Sequence, residues 1–360
     1  EFTKVLHHLN KKSGVFNKAH TLRDRMKLTK EDGDTVYLAF FDSEDPLRNH
    51  YQITQQVTLD KGTYENRYDV TILVNGLPLM QIELKRRGLE MKEAFNQIQR
   101  YQKHSFGSGQ GLFHFVQLFV ISNGVNTKYY ANCKDQSFKQ TFYWAQEDNT
   151  TIRGLTPFAD AFLNREHLGT MIGKYIVRNE TDKILMVLRP YQYYATEAII
   201  DRVKNPPAED ANGYIWHTTG SGKTLTSFKA AQIMTALPEV HKVVFCVDRK
   251  DLDYQTIKEF NGFRKGCIDG TNNTKTLVEQ FTGNNTNSKK NKQRIDNLIV
   301  TTLQKLNTAI SKKRYLDEME PLRDERIIFI FDECHRSQFG DTHKRICSFF
   351  RNHQMFGFTG

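Results

Sequence analysis

Cysteine is scarce in this chain. Five occur (Cys133, Cys246, Cys267, Cys334 and Cys347), with no C-x-x-C or other paired spacing. That argues against a disulfide framework and a cysteine-built zinc site, and suits a reducing cytoplasm, where we expect the protein to work. No apolar run approaches the roughly 18 residues that a membrane-spanning helix needs. No signal-peptide pattern opens the chain, and no internal repeat is visible. What the chain has is positive charge: 51 Lys and Arg against 41 Asp and Glu, a net +10 and a pI near 9.2. Such an excess favours an anionic partner, although a merely soluble basic surface has the same composition. At 360 residues and 38% hydrophobic content there is material for two domains with separate cores. The chain reads as a fragment of a longer protein.

The two halves differ in character. In the first, YDVTILV and LPLMQIELK flank Asn75-Gly76, the strongest short signal for a β-hairpin. KEAFNQIQRYQKH (92–104) reads as an amphipathic helix, with Ala94, Ile98 and Tyr101 near one face. FHFVQLFVISNG reads as a buried strand closed by a turn, and KYYAN starts another. After about Asp182, β-branched runs alternate with helical segments, the pattern of a parallel α/β sheet: GYIWHT, KVVFCVD, NLIVTT and RIIFIFDE. KNPPAEDANG (204–213) forms a turn-rich loop before the first of these. The Asn-, Thr- and Lys-rich stretch from Gly270 to Asn297, including KKNKQR, reads as a solvated or partly disordered insertion rather than a dedicated nucleic-acid contact. The expected domains are 1–180 and 181–360, both α/β.

IWHTTGSGKTLTSF places TGSGKT between a strand and a helix, where a phosphate-binding loop belongs. Gly220 and Gly222 let backbone N–H groups close around phosphates, with Thr219 and Ser221 in the same loop. Lys223 reaches the outer phosphates, and Thr224 offers its hydroxyl to Mg²⁺. His217 stands where the usual eight-residue pattern begins with glycine. RIIFIFDECH ends a buried strand in two acids, where open α/β sheets place ligand groups. Asp332 would hold Mg²⁺ and Glu333 would polarise the water that attacks the γ-phosphate. Alone, two such acids also read as a helix N-cap; with the loop they complete a nucleotide-hydrolysis site.

These residues resemble the superfamily 2 helicases and translocases: TGSGKT their P-loop, Asp332-Glu333-Cys334-His335 their acidic box, and Gln192 in LRPYQYYAT their adenine-reading glutamine. VDRKDL (247–252) and VTTLQKL (300–306) are similar to the motifs that line the DNA path, and GFTG to the motif coupling hydrolysis to movement. The resemblance implies a RecA-like P-loop ATPase lobe whose second lobe, with its arginine finger, lies outside this sequence. The fragment alone is then expected to bind ATP and hydrolyse it poorly.

The hairpin carries a second constellation. In QIELK, Glu83 and Lys85 sit two apart, so a strand aims both at one face while Ile82 and Leu84 point into the core. Asp69 opens the partner strand as a second carboxylate. A strict two-residue loop pairs Val74 with Leu77 and Asp69 with Ile82, which turns Asp69 away from Glu83. A one-residue bulge near Pro78, or a kink at Asp69, is therefore expected if the acids share a metal. Taken by itself, Glu-x-Lys on a strand is also an ordinary cross-strand ion pair.

D-x13-E-x-K, from Asp69 through Glu83 to Lys85, resembles the PD-(D/E)xK nuclease core, with Tyr68 in place of its proline. Gln97 and Tyr101, one helical turn apart, resemble the accessory Q-x3-Y pair of RecB-like and type I restriction nucleases, where it lies near DNA and the catalytic centre. A restriction-endonuclease-like nuclease domain followed by a superfamily 2 motor resembles the motor/nuclease (R) subunit of type I restriction–modification enzymes, here an N-terminal fragment from about residue 60 onward. The resemblance implies an ATP- and Mg²⁺-dependent double-strand DNA endonuclease and translocase. It implies catalytic Asp69, Glu83, Lys85 and Glu333, and metal sites at Asp69 with Glu83 and at Thr224 with Asp332. Methyltransferase and specificity subunits would be its partners. Arg86, Arg87, Lys92, Arg100 and Lys103 are expected along the DNA path by phosphate contacts. The rival readings are a repair-type helicase–nuclease, a type III restriction subunit, or an ATP-switched DNA-binding module with an inactive hairpin.

Overall fold

Asn75 and Gly76 both take left-handed backbone (φ 50° and 79°), the two-residue turn whose twist matches paired strands. Around that turn the computed structural model builds the first of two compact units, Glu1–Tyr191 and Gln192–Gly360. The structure describes residues 1–60, 65–102, 111–218, 220–247, 258–263, 273–283, 297–332 and 340–360.

In the first unit the strands are β1 (Arg25–Thr29), β2 (Thr35–Ala39), β3 (Tyr51–Asp60), β4 (Glu65–Val74), β5 (Leu77–Leu84), β6 (Leu118–Ser122), β7 (Thr127–Ala131), β8 (Trp144–Ala145), β9 (Thr151–Ile152), β10 (Ile176–Asn179) and β11 (Ile184–Val187). A five-stranded sheet in the order β3-β4-β5-β6-β7 forms its centre, antiparallel except for β5 and β6. That parallel pair needs a crossover, which contains the helix Met91–Tyr101. Ala94, Ile98 and Tyr101, the expected inner face, are buried with Met91 and Phe95 against Val116, Phe119, Ile121 and Tyr130. The run read as one strand, FHFVQLFVISNG, is divided. Leu112–Phe115 forms a 3-10 turn, and the strand itself begins at Leu118.

The bulge is present. Pairs run Val74–Leu77 and Leu73–Pro78, then Ile72–Met80, Thr71–Gln81 and Val70–Ile82, leaving Leu79 unpaired. Its carbonyl accepts instead from Gln117 N–H at 2.9 Å. Beyond the bulge, Thr71 Oγ1 donates to Gln81 Oε1 at 2.6 Å in the buried interior, which pins the shifted register. A second irregularity faces Asp69 from β3. Gln56 takes left-handed backbone (φ 54°), and the ladder skips from Gln55–Val70 to Val57–Tyr68.

One expectation fails. Glu83 was assigned to a face turned away from the core, yet every residue from Leu77 through Glu83 is buried, Glu83 at 0% exposure. The sheet is covered on both sides, so its central strand has no solvent face. Glu83 lies level with Ile121 of the parallel neighbour, and Ile121 packs in the cluster containing the helix Met91–Tyr101.

In the second unit β12 (Gly213–Trp216), β13 (Lys242–Val247), β14 (Leu298–Thr302), β15 (Ile327–Phe331) and β16 (His353–Thr359) form an all-parallel sheet in the order β12-β16-β15-β13-β14. All four strands read from the sequence are in it. One core cluster includes Ile199, Val203 and Phe228 of the helices Pro190–Lys204 and Lys223–Met234. The other includes residues of the helices Thr274–Thr282, Leu303–Ser311 and Gly340–Phe349. This mixed α/β architecture with a parallel sheet fits a RecA-like ATPase domain. Among the described residues no helix is long and apolar enough to cross a membrane.

The solvated-insertion reading of 270–297 is corrected in part. Thr274–Thr282 is a helix whose Leu277, Val278 and Phe281 are buried at 4%, 1% and 1% exposure. Spaced i, i+1 and i+4, they make one apolar stripe, which the surrounding Asn and Thr residues hide in a composition count. KKNKQR lies outside the described residues. Phe281→Ala should cost about 3–5 kcal/mol, read from a denaturant-unfolding midpoint. An unchanged midpoint would mean that this helix contributes nothing to the core.

Candidate functional site

The bulge brings Asp69 level with Glu83, one step beyond the Val70–Ile82 pair. Asp69 Oδ2 accepts the Leu84 N–H at 2.8 Å, so the backbone of the strand that carries Glu83 holds the first carboxylate. Glu83 Oε1 accepts from Lys85 Nζ at 2.8 Å, and Glu83 Oε2 is buried with no hydrogen-bond partner. Lys85 Nζ also donates to Gln97 Oε1, Gln97 Nε2 donates to the Tyr101 hydroxyl, and that hydroxyl donates to the Arg67 carbonyl at 2.9 Å. Asp69, Glu83, Lys85, Gln97 and Tyr101, the five residues that the family resemblance singled out, thus stand in one connected site.

Its electrostatics are strained. Burial, with the Asp69 carboxylate adding, lifts the Glu83 carboxyl to about 7, against the opposing pull of Lys85. Burial also raises the Tyr101 phenol, Glu83 and Asp69 contributing, so the phenol keeps the proton it donates to Arg67. Two carboxylates, one with an orphaned buried oxygen, fit a hard, oxygen-seeking divalent cation that keeps part of its water shell. Among the described residues no group of three or more His, Cys, Asp and Glu side chains forms a larger metal site. Arg86, Arg87, Lys92 and Arg100 are exposed; Lys103 lies outside the described residues.

The loop expected to bind phosphate lies between β12 and the helix Lys223–Met234. Gly220 and Gly222 both have left-handed backbone (φ 77° and 86°), the conformation that glycine was expected to permit. At Gly222 a β-carbon would also come within 2.7 Å of Gln192 Nε2. Gln192 is buried, and its amide donates to the carbonyls of Ser221 (3.2 Å) and Gly222 (3.3 Å). Lys223 and Thr224 begin the helix. His217 is not left-handed, which explains why a side chain is tolerated there; its N–H donates to Thr359 O at 2.8 Å. Burial, with the charge of Lys223, lowers the His217 pKa below its ordinary value. Asp332 follows β15, with β16 between that strand and β12, and its N–H donates to Cys246 O at 3.2 Å. Thr219 and Glu333 lie outside the described residues, as do Asp248–Leu252 of VDRKDL. Thr302, in VTTLQKL, caps the helix Leu303–Ser311 by accepting from Lys305 N–H.

Sequence reasoning missed two backbone supports of the first site, the Leu84 N–H and the Arg67 carbonyl, and the edge-on contact of the Tyr68 ring with that of Tyr101. Backbone groups leave no residue signature. In a chain with 25 Phe and 15 Tyr, one more aromatic carries no signal.

A family model described as SWI2/SNF2 ATPase matches residues 191–360, and one described as Type I restriction enzyme R protein N terminus matches residues 1–138. The second match includes the first 60 residues, for which the sequence alone suggested no relative. The chain is 48% identical over 361 residues to a type I restriction enzyme endonuclease subunit of Staphylococcus saprophyticus, covering 100% of this chain and 37% of the relative. It is 45% identical over 197 residues to the EcoprrI endonuclease subunit of Escherichia coli, covering 53% of this chain and 62% of that one. It is 42% identical over 215 residues to a Mycoplasma pneumoniae protein described as the C-terminal part of a putative type I restriction enzyme endonuclease subunit, covering 58% of this chain and 99% of that one. The chain therefore spans little more than a third of the length of the staphylococcal relative.

The raised Glu83 carboxyl has a measurable consequence. From pH 4.5 to about 7 the unfolded chain gives up this proton while the folded one keeps it, so stability falls as pH rises through that window. The loss is on the order of 3 kcal/mol. In EDTA, Glu83→Gln should raise the melting temperature at pH 8 and leave it nearly unchanged at pH 5. An equal effect at both pH values would show that Glu83 does not titrate in this window.

Proposed function

Because the chain belongs to the endonuclease (R) subunits of type I restriction enzymes, we propose that its first unit is a PD-(D/E)xK-type nuclease and its second the first RecA-like lobe of an ATP-driven translocase. The substrate is double-stranded DNA, pulled by the motor and cut by the nuclease, in the cytoplasm. Methyltransferase and specificity subunits supply recognition and methylation. One observation carries the nuclease reading: the bulge at Leu79 brings both carboxylates to the same place, beside a lysine tied to Gln97.

Asp69 and Glu83 would hold Mg²⁺, which supplies Lewis acidity toward a scissile phosphodiester. Lys85 offers a cation to the charge that develops on the phosphate, and Gln97 and Tyr101 hold that cation in place. Arg86, Arg87, Lys92 and Arg100 are exposed for contacts to DNA phosphates. In the second unit, Lys223 and the loop Thr219–Thr224 would hold the ATP phosphates, and Thr224 and Asp332 its Mg²⁺. Glu333 would orient the hydrolytic water. Gln192 is proposed to read adenine; doing so requires it to leave the Ser221 and Gly222 carbonyls.

In the assembled restriction complex, Glu83→Ala and Lys85→Ala should each abolish DNA cleavage and leave ATP hydrolysis intact. Lys223→Ala should abolish hydrolysis and cleavage together. Cleavage that survives both nuclease substitutions would sink the nuclease reading, and undiminished cutting by the Lys223 variant would make the motor incidental.

A further inference from the structure

Tyr68 directly precedes Asp69 and is fully buried, at 0% exposure. Its ring meets that of Tyr101 edge-on, with centroids 4.9 Å apart and planes at 81°. On Phe113 it stacks at 5.2 Å and 24°. The carbonyl of the preceding residue, Arg67, accepts the Tyr101 hydroxyl at 2.9 Å. Consecutive residues of β4 thus grip Tyr101 at both ends, Tyr68 at the ring and Arg67 at the hydroxyl.

From Tyr101 the connection runs to the lysine. Gln97 Nε2 donates to the Tyr101 hydroxyl, and Gln97 Oε1 accepts from Lys85 Nζ. Lys85 needs such a hold, since its ammonium rides on a flexible four-carbon stem and makes no fixed fork as arginine does. The ring of Tyr68 limits the directions in which the Tyr101 phenol can point. That direction fixes the Gln97 amide, and the amide fixes where Nζ sits beside Glu83 Oε1.

We propose that Tyr68 is a positioning residue for the Lys85 ammonium, acting through Tyr101 and Gln97. The proposal rests on the nuclease reading above and deepens it. Arg67, Tyr68 and Asp69 then serve both arms of the site: Asp69 provides a carboxylate, while the two residues before it steady the cation. The contacts are made by the ring, so phenylalanine serves as well as tyrosine and a non-aromatic side chain does not.

The test is single-turnover cleavage of circular duplex DNA by the assembled complex, at saturating ATP and Mg²⁺. Tyr68→Leu should lower the cleavage rate on the order of 10–100-fold, with ATP hydrolysis and the half-saturating DNA and Mg²⁺ concentrations unchanged. Tyr68→Phe should restore the wild-type rate. Adding Tyr68→Leu to Gln97→Ala should cost nothing beyond Gln97→Ala alone, because both act on the same ammonium. A merely structural Tyr68 would instead reduce the fraction of active molecules and add its effect to that of Gln97→Ala; either result overturns the proposal, as does a wild-type rate for Tyr68→Leu. Should Tyr68→Leu fail to fold, Phe113→Leu, which removes the ring stacked on Tyr68, carries the same expectations. Glu83→Ala, run in parallel, separates the two readings. If it still cuts, the nuclease assignment fails; if it is dead while Tyr68→Leu cuts normally, only the positioning role fails.

Discussion

The unpaired residue Leu79 sets the register on which the acid–lysine site depends. Side chains alternate along a strand, so without it Asp69 would lie level with Ile82 and face away from Glu83. The extra residue interrupts the ladder, and the Gln117 N–H takes up the carbonyl left over. Thr71 and Gln81 then hold the shifted pairing. A slip back would break that hydrogen bond in the interior, at about 1–3 kcal/mol for each group left unsatisfied. The register is therefore enforced from both sides of the bulge.

That alignment has an electrostatic cost. Glu83 is buried, beside a second carboxylate, with one oxygen unsatisfied, and only Lys85 pulls toward its charged form. The Lys85–Glu83 pair and the Lys183–Glu180 pair have similar lengths, 2.8 and 2.9 Å, but different energetic weight. The second is solvated and is worth at most about 1 kcal/mol. Stripping Lys85 from this pair would leave the buried Glu83 carboxylate without its compensating charge, a loss of about 3–5 kcal/mol. A fold optimised for stability alone would replace this site with apolar side chains. The surrounding aromatic wall of Tyr68, Tyr101, Phe95, Phe119 and Tyr130 supplies the packing that offsets it.

The second unit meets its demand by simpler means. A parallel sheet collects the C-terminal ends of its strands at one edge, so the loop after β12 and Asp332 after β15 belong to the same edge, one strand apart. Glycines at 220 and 222 supply the left-handed turns, and Gln192 braces the loop carbonyls. His217 in place of glycine departs from the pattern without penalty, since its backbone needs no glycine.

By itself the sequence determined whatever depends on local spacing. It announced the Asn75-Gly76 hairpin, four of the five parallel strands, the helix carrying Gln97 and Tyr101, and the loop Gly220–Thr224. It also required a bulge near Pro78 if Asp69 and Glu83 were to meet, because strand alternation is a local rule. Tertiary structure alone decided the burial of Glu83 on a strand covered from both sides, since burial depends on what packs across a strand. It alone docked the helix Thr274–Thr282, whose apolar stripe is masked by polar composition, and split the Phe113–Ser122 run into a turn and a strand. And it alone joined Lys85 to Arg67 through Gln97 and Tyr101, because that connection passes between a helix and two strands and ends on a backbone carbonyl, which no residue letter encodes.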